Sequence, residues 1–552
     1  MSRKSSHSPS PHRGPLLFLF ATWGTFFVAL FGRMMLFRPD GLYMGHNVVW
    51  SDWALHVALA QRFATLPVAD WFVTHPLYAG GKLTYPFVVN MISGLLMRIG
   101  TPLTWAFAIP SIVCVFAFIA GVYFLFFHLL RSRAQAVVGI FLFFLSAGMG
   151  FVPFLRDVFT HHNWASLAYP PQDFSRLGQL SWETSNAITG MILPQRALLL
   201  GMTIGVWALA AIIKVFGRKK EPSDGWLLML AGAGIGLLPI THPHSLISIA
   251  IILLVIFVSY RTAWQRWLFL GFPAALIGIP LYLKFVGGGI ENPHFFSLSL
   301  GWTATSFGGW FAQWFWQWGL TLPLAGISMW ILWRFGNGVS RSFFLGCFVL
   351  FLVGNIVQFQ PIAWDNSKVF LWSYLGFCGL TAAFLVGLWR SHGLVRPLAV
   401  ALLITLTATG LLEMIRLQRV DQHTYLVTSQ EDINLGEQIR EETYTTDRFL
   451  TAPVHNHFIT LWAVRPILLG YTAWVYNYGF NYAQREADVK SIYTGTTDAI
   501  SLLRDYGVSY VVIGPAEKNA FTVNEDFFSS RFPVAFKNSQ NTVYDTRKVL
   551  AH

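Results

Sequence analysis

Eleven stretches of this chain are apolar over the roughly 20 residues that a helix needs to cross a bilayer, and that recurrence limits the fold more than any motif does. They lie near 15–37, 104–130, 135–154, 195–216, 225–241, 244–260, 266–284, 309–333, 342–358, 369–389 and 397–415. Charge is scarce around them. Asp, Glu, Lys and Arg make up 12% of the 552 residues, about half the share usual in soluble domains. That composition excludes a soluble enzyme as a reading of the whole chain, and its hydrophobicity excludes disorder. The expected fold is an all-α polytopic membrane bundle of about eleven transmembrane helices. The first stretch follows Arg3, Lys4 and Arg13, is too long for a cleaved signal and reads as a signal anchor.

The net charge of +12 acquires meaning only from where the charges sit. With the N-terminus inside, the inner segments hold fourteen Lys and Arg, from Arg3 to Arg396, and the much longer outer loops hold eight. This is the positive-inside pattern, so the basic balance is an orientation signal and gives no reason to invoke nucleic acid. Acidic residues are biased the other way: Asp52, Asp157, Asp173, Glu183 and Asp365 are among those outside, and only Glu221 and Asp224 fall inside. Carboxylates contribute little to insertion, so the outer face is where chemistry or binding is expected. Cys114, Cys347 and Cys378 all lie in apolar runs and form neither a disulfide framework nor a metal-ligand pattern.

An odd number of spans puts the C-terminal segment outside. From residue 416 the composition turns soluble, with thirteen basic and fifteen acidic residues. Helices are expected over Glu431–Glu442, Asn481–Tyr493 and Ala499–Asp505, and strands over Phe449–Pro453, Pro466–Gly470 and Val508–Ile513. The expected organisation is a disordered cytoplasmic tail (1–14), a transmembrane domain (15–415) and a small extracytoplasmic α/β domain (416–552). The outer loops of the transmembrane domain fall near 38–87 and 155–194.

The first outer loop is far longer than a usual connection, and such loops are generally functional. Within it Ser51-Asp52-Trp53-Ala54-Leu55-His56 opens an apolar helix running to about Ala64. Asp52 and His56 are four apart and share a face. One reading makes Asp52 a general base, with His56 orienting it or binding substrate. The other makes Ser51 an N-cap and Asp52 a first-turn carboxylate facing the helix dipole. A block rich in Gly, Pro and Tyr follows, from Thr74 to Pro86, with Lys82 and Tyr85 as candidates for a binding surface at the interface. It reads equally as an interfacial turn. Arg196, in Pro194-Gln195-Arg196, can pair with a phosphate or simply snorkel. His242 and His244 flank Pro243 in an outer turn, Lys284 ends an apolar helix, and Asp365 and Lys368 open the tenth span. Lys368, Lys284 and Arg196 could together hold a lipid phosphate, or Lys368 could pair only with Asp365. His161 and His162 sit near Asp157 and Asp173, but no metal-ligand spacing results, so a divalent cation is without support.

No Walker loop, dinucleotide fingerprint or zinc helix is present. The blocks at Asp52–His56, Tyr85-Pro86, Leu193–Arg196, Thr241–His244, Trp364–Lys368 and Arg465–Tyr471 resemble a bacterial branch of the GT-C superfamily of integral-membrane glycosyltransferases. The resemblance implies Asp52 as catalytic base and a polyprenyl-phosphate-linked sugar as donor. The expected reaction is hexosyl or pentosyl transfer to a glycan, lipid or protein acceptor at the outer face of a bacterial plasma membrane, and direct attack by an acceptor hydroxyl that Asp52 deprotonates or orients predicts inversion. The chain departs from the oligosaccharyltransferases of that superfamily. Its tail lacks Trp-Trp-Asp, and Asp157 and Asp173 stand alone rather than as an acidic pair. In Asp52-Trp53 it also lacks the Asp-Glu pair of protein mannosyltransferases. The alternative, a lipid or lipid-linked glycan transporter, calls for inverted repeats and polar residues at mid-depth, and the sequence offers neither.

Overall fold

The computed structural model describes residues 12–550 apart from 85, 177–185, 220, 294, 392, 421 and 422. Eight helices among the described residues are long and apolar enough to cross a membrane, and the chain is a multi-pass membrane protein. They are Arg13–Phe31, Leu103–Leu130, Arg196–Phe216, Asp224–Thr241, Pro243–Tyr260, Trp264–Val286, Ala363–Arg390 and Gly393–Leu417. The other three expected spans are helical but shorter. Arg133–Leu145 has 13 residues and Gly338–Gly354 has 17. The stretch expected as one span over 309–333 is two helices, Phe307–Trp318 and Thr321–Phe335, separated at Gly319 with φ +55. Glycine adopts that left-handed conformation without the clash a Cβ brings.

The apolar run is most deeply buried in Ala363–Arg390, at the centre of the bundle. Trp264–Val286 is the least buried and presents Leu268, Phe272, Leu276 and Ile279 outward, as a helix facing lipid does.

The first and last spans are tied together beyond their ends. Strands Met35–Arg38 and Gly41–Met44 form an antiparallel hairpin, and Gly41–Met44 pairs in turn with Tyr425–Ser429, which follows the last span. Both spans therefore emerge on the same face, where the loop after the first meets the C-terminal segment. That segment carries a four-stranded sheet ordered Arg448–Leu450, Val508–Ile513, Thr542–Asp545, Val534–Lys537, with the first pair parallel and the others antiparallel.

Helices occupy Gln430–Glu442, Ala483–Thr494 and Ala499–Asp505, close to expectation. The strand expected at Pro466–Gly470 is not a regular one. Its backbone is extended and shared between two partners. Phe449 N donates to Pro466 O and Leu468 N to Phe449 O on one side. Ile467 N donates to Pro76 O, Ala79 N to Ile467 O and Gly470 N to Leu77 O on the other. The Gly-Pro-Tyr block of the first loop is thus docked on the C-terminal segment. His75 is fully buried there, and Tyr78 stacks on Phe480 at 4.6 Å under the Arg485 guanidinium.

Candidate active site

The helix carrying Asp52 and His56 spans Asn47–Thr65 and begins four residues before Ser51. His46 is its N-cap, accepting Val48 N–H through Nδ1 at 3.3 Å. The helix ends at Leu66, whose extended backbone is what a residue before proline prefers. Ser51 is therefore not a cap. Asp52 lies in the second turn, so the dipole of a first turn does not account for a carboxylate at this place.

Asp52 and His56 line a cavity of about 540 Å³ bounded by the Asn47–Thr65 helix and the starts of Arg196–Phe216 and Pro243–Tyr260. The 282–296 segment, residues 359–368 and residues 471–478 complete its wall. Asp52 is half-buried and accepts a hydrogen bond at Oδ2 from the Gln195 amide, with Ser51 Oγ at 3.5 Å from Oδ1. Burial pushes its carboxyl up to about 6, although Lys368 and the hydrogen bonds from Gln195 and Ser51 pull the other way.

His56 is buried, with Nδ1 2.9 Å from Asn90 Oδ1. That oxygen also receives Arg196 Nη1 at 3.4 Å. A guanidinium only donates, so the Asn90 oxygen faces it, His56 Nδ1 carries the hydrogen, and the other ring nitrogen of neutral His56 is an acceptor. Burial lowers His56 to about 3, reinforced by Arg196, so the ring stays neutral at physiological pH.

On the facing wall, Lys368 Nζ pairs with Asp365 one turn away, and Asn477 Nδ2 donates to the other Asp365 oxygen. The pair is largely withdrawn from solvent, with side-chain exposures of 12% and 2%. His242 and His244 lie beside it. His242 caps the Pro243–Tyr260 helix by accepting Ser245 N–H at Nδ1, 3.1 Å away, with Pro243 at the first helical position. Gly201 lets the Arg196–Phe216 helix come close here: a Cβ on it would sit 2.4 Å from His242 Cβ. The Nε2 atoms of both histidines are buried without a hydrogen-bond partner among the described residues.

The structure thus brings Asp52, His56, His242, His244, Asp365 and Lys368 to one cavity. Three cations expected at the phosphate or at a binding surface beside it are elsewhere. Arg196 is buried behind the wall, giving Nη2 to Ser93 Oγ at 2.7 Å and Phe107 O at 3.3 Å, with its guanidinium 3.9 Å above the Phe107 ring. Lys82 is exposed and donates to Gly287 O at 2.8 Å. Lys284 is exposed beside Phe285. Neither lysine lines the cavity. Tyr85 lies outside the described residues.

Sequence reasoning missed Asn90, the bond from Gln195 to Asp52, and the contribution of Trp474, Asn477 and Tyr478 from the C-terminal segment. The aromatic run Tyr471-Thr472-Ala473-Trp474-Val475-Tyr476-Asn477-Tyr478 was the one signal that could have pointed to that last group. Asp173 pairs with Arg416 at 2.8 Å and approaches His46 Nε2 at 3.6 Å. Among the described residues no group of three or more His, Cys, Asp or Glu side chains is placed to hold a metal ion.

No protein-family model matches the sequence, and no curated protein matches it significantly. Solved structures do. The chain is similar to the Archaeoglobus fulgidus oligosaccharyltransferase in complex with Zn and sulfate, with TM-score 0.53, 12% identity, and coverage of 89% of this chain and 67% of that one. It is also similar to ArnT from Cupriavidus metallidurans bound to undecaprenyl phosphate, with TM-score 0.50, 11% identity, and coverage of 97% and 98%. This chain shares its overall fold with both of these membrane proteins.

Proposed function

We propose that the protein is a membrane glycosyltransferase that moves a sugar from a polyprenyl-phosphate carrier to an acceptor hydroxyl, with Asp52 as general base. The observation that carries this reading is the placement of Asp52 and the Lys368–Asp365 pair in one cavity, beneath an aromatic wall from the C-terminal segment. Support also comes from the shared fold with ArnT, whose structure holds undecaprenyl phosphate. In this reading Asp52 takes the acceptor proton as the acceptor oxygen bonds to the anomeric carbon. The bond from that carbon to the phosphate oxygen breaks, and its electrons leave with the polyprenyl phosphate. Lys368 lies where the added negative charge is stabilised, and His242 and His244 can donate to the phosphate through Nε2. One displacement without a covalent intermediate inverts the anomeric configuration.

The same reading places residues 1–14 in the cytoplasm, 15–415 in a bacterial plasma membrane and 416–552 outside, with loops 38–87 and 155–194 on the outer face. Nucleotide sugars are not available there, so the activated sugar arrives on a lipid carrier. The test is release of undecaprenyl phosphate from lipid-linked sugars extracted from source membranes and supplied to purified protein with the same membranes as acceptor. Asp52→Asn should slow that release by about 10²–10⁴-fold. Wild-type release by the variant contradicts the assignment.

A further inference from the structure

Two adjacent residues at the start of the Arg196–Phe216 helix serve two residues one turn apart on the Asn47–Thr65 helix, Gln195 by direct contact and Arg196 through Asn90. Gln195 donates its side-chain amide to Asp52. Arg196 donates to the Asn90 oxygen that receives His56. The Gln195 backbone is itself fixed: its N–H donates to Met191 O at 3.0 Å, and its carbonyl accepts Leu199 N–H at 3.1 Å. Directly behind it the Arg196 side chain is locked among Ser93, Asn90 and Phe107. An amide on so rigid a mount loses little further freedom in holding a carboxylate, whereas a long side chain on a loose loop forfeits much rotamer entropy.

We propose that Gln195 is the positioning residue of the base: its amide holds Asp52 Oδ2, turns Oδ1 toward the acceptor hydroxyl, and favours the charged form of the carboxylate. This rests on the reading of Asp52 as general base. An uncharged donor suits the task. It stabilises the carboxylate without neutralising it, whereas a lysine or arginine here would pair with Asp52 and remove its basicity.

The other charged groups facing Asp52 are Lys368 and Asp365 on the opposite wall, which act in opposite senses. His56, His242, His244 and Arg176 also line the cavity, and Arg196 lies behind it. Gln195 is the group among these that contacts Asp52 directly from another helix in the hydrogen bonds described. Burial, with a smaller contribution from Asp365, raises the carboxyl, and the Gln195 bond opposes that rise. Removing the amide should therefore raise it further.

The test is a titration of Asp52 in the full-length protein in lipid nanodiscs, without ligand. Its carboxyl band is followed by infrared difference spectroscopy against Asp52→Asn. The wild-type midpoint should lie at about 6. Gln195→Leu should move it upward by about one to two units, the worth of a hydrogen bond to a charged group. Gln195→Glu should move it at least as far by adding a like charge. Gln195→Asn, which keeps the amide one methylene short, should fall between wild type and Leu. If Leu does not fold, Glu and Asn decide the question. A residue that merely packs would leave the midpoint in place, so midpoints within about 0.3 unit of wild type in the folded variants overturn the proposal. Failure of the base reading looks different. Asp52→Asn would then release undecaprenyl phosphate at the wild-type rate whatever the midpoints do.

Discussion

The two carboxylates of the cavity are held in opposite ways. Asp365 is almost fully buried against a lysine and an asparagine, so its charge is matched on the spot. Asp52 is half-buried against a glutamine and a serine, which hold it without cancelling its charge. A carboxylate already paired with a lysine is occupied by that ion pair. One whose pKa is raised by burial toward working pH can take a proton. In the proposed reaction this difference divides the roles: the Asn47–Thr65 wall would do the proton chemistry, and the Ala363–Arg390 wall would hold charge.

The largest effect that can break this contrast is at Asp52. Alongside its loss of transfer, Asp52→Asn should raise the thermal midpoint by a few degrees, because a carboxylate that resists burial is replaced by a neutral amide. The sign follows from linkage. A folded-state pKa above the unfolded value means that the folded protein binds the proton more tightly, so the stability gained in the protonated form is lost as pH rises from about 4 through about 6. The variant's advantage should accordingly shrink in a melt at pH 4. A lower midpoint than wild type at pH 7 contradicts the reading of Asp52 as destabilised for function.

Next comes Lys368→Ala, which leaves Asp365 buried and unpaired. It should lower stability by about 3 kcal/mol and weaken undecaprenyl phosphate binding at least about tenfold by titration calorimetry. Lys368→Arg should recover most of both. Arg196→Met separates a wall-building cation from a ligand-binding one. Its lost bonds to Ser93, Asn90 and Phe107 should cost about 2–4 kcal/mol, while the undecaprenyl phosphate affinity of the folded protein stays within about threefold of wild type. The smallest effect belongs to exposed Lys82 and Lys284. Alanine at either should shift stability by less than about 0.5 kcal/mol and leave lipid binding unchanged in the same calorimetric experiment.

Much of the site was legible because its signals were local. Asp52 and His56 share a face by spacing alone, and Asp365 with Lys368 and His242 with His244 are short-range pairs in otherwise apolar surroundings. What the sequence hid was non-local. Gln195 meets Asp52 across 143 positions, and Asn90 joins His56 to Arg196 from a third helix. Nothing in the chain order announces either meeting. Arg196 misled for the same reason: an arginine at a helix start reads as a phosphate ligand until Ser93 and Phe107 O are seen to take its donors. The apolar runs were located well by hydropathy, but the break at Gly319 was not, since a glycine inside an apolar run leaves mean hydropathy almost untouched. Pro466–Gly470 was rightly extended in sequence, yet its partners at 76–79 belong to a loop nearly four hundred residues away.

The most direct test of the central claim is the pH dependence of undecaprenyl phosphate release by the wild-type protein under single-turnover conditions. If Asp52 is the base, the rate should climb about tenfold per pH unit below a midpoint of about 6 and level off above it. A rate that does not change between pH 4.5 and pH 8 would contradict a role for this carboxylate in accepting the proton.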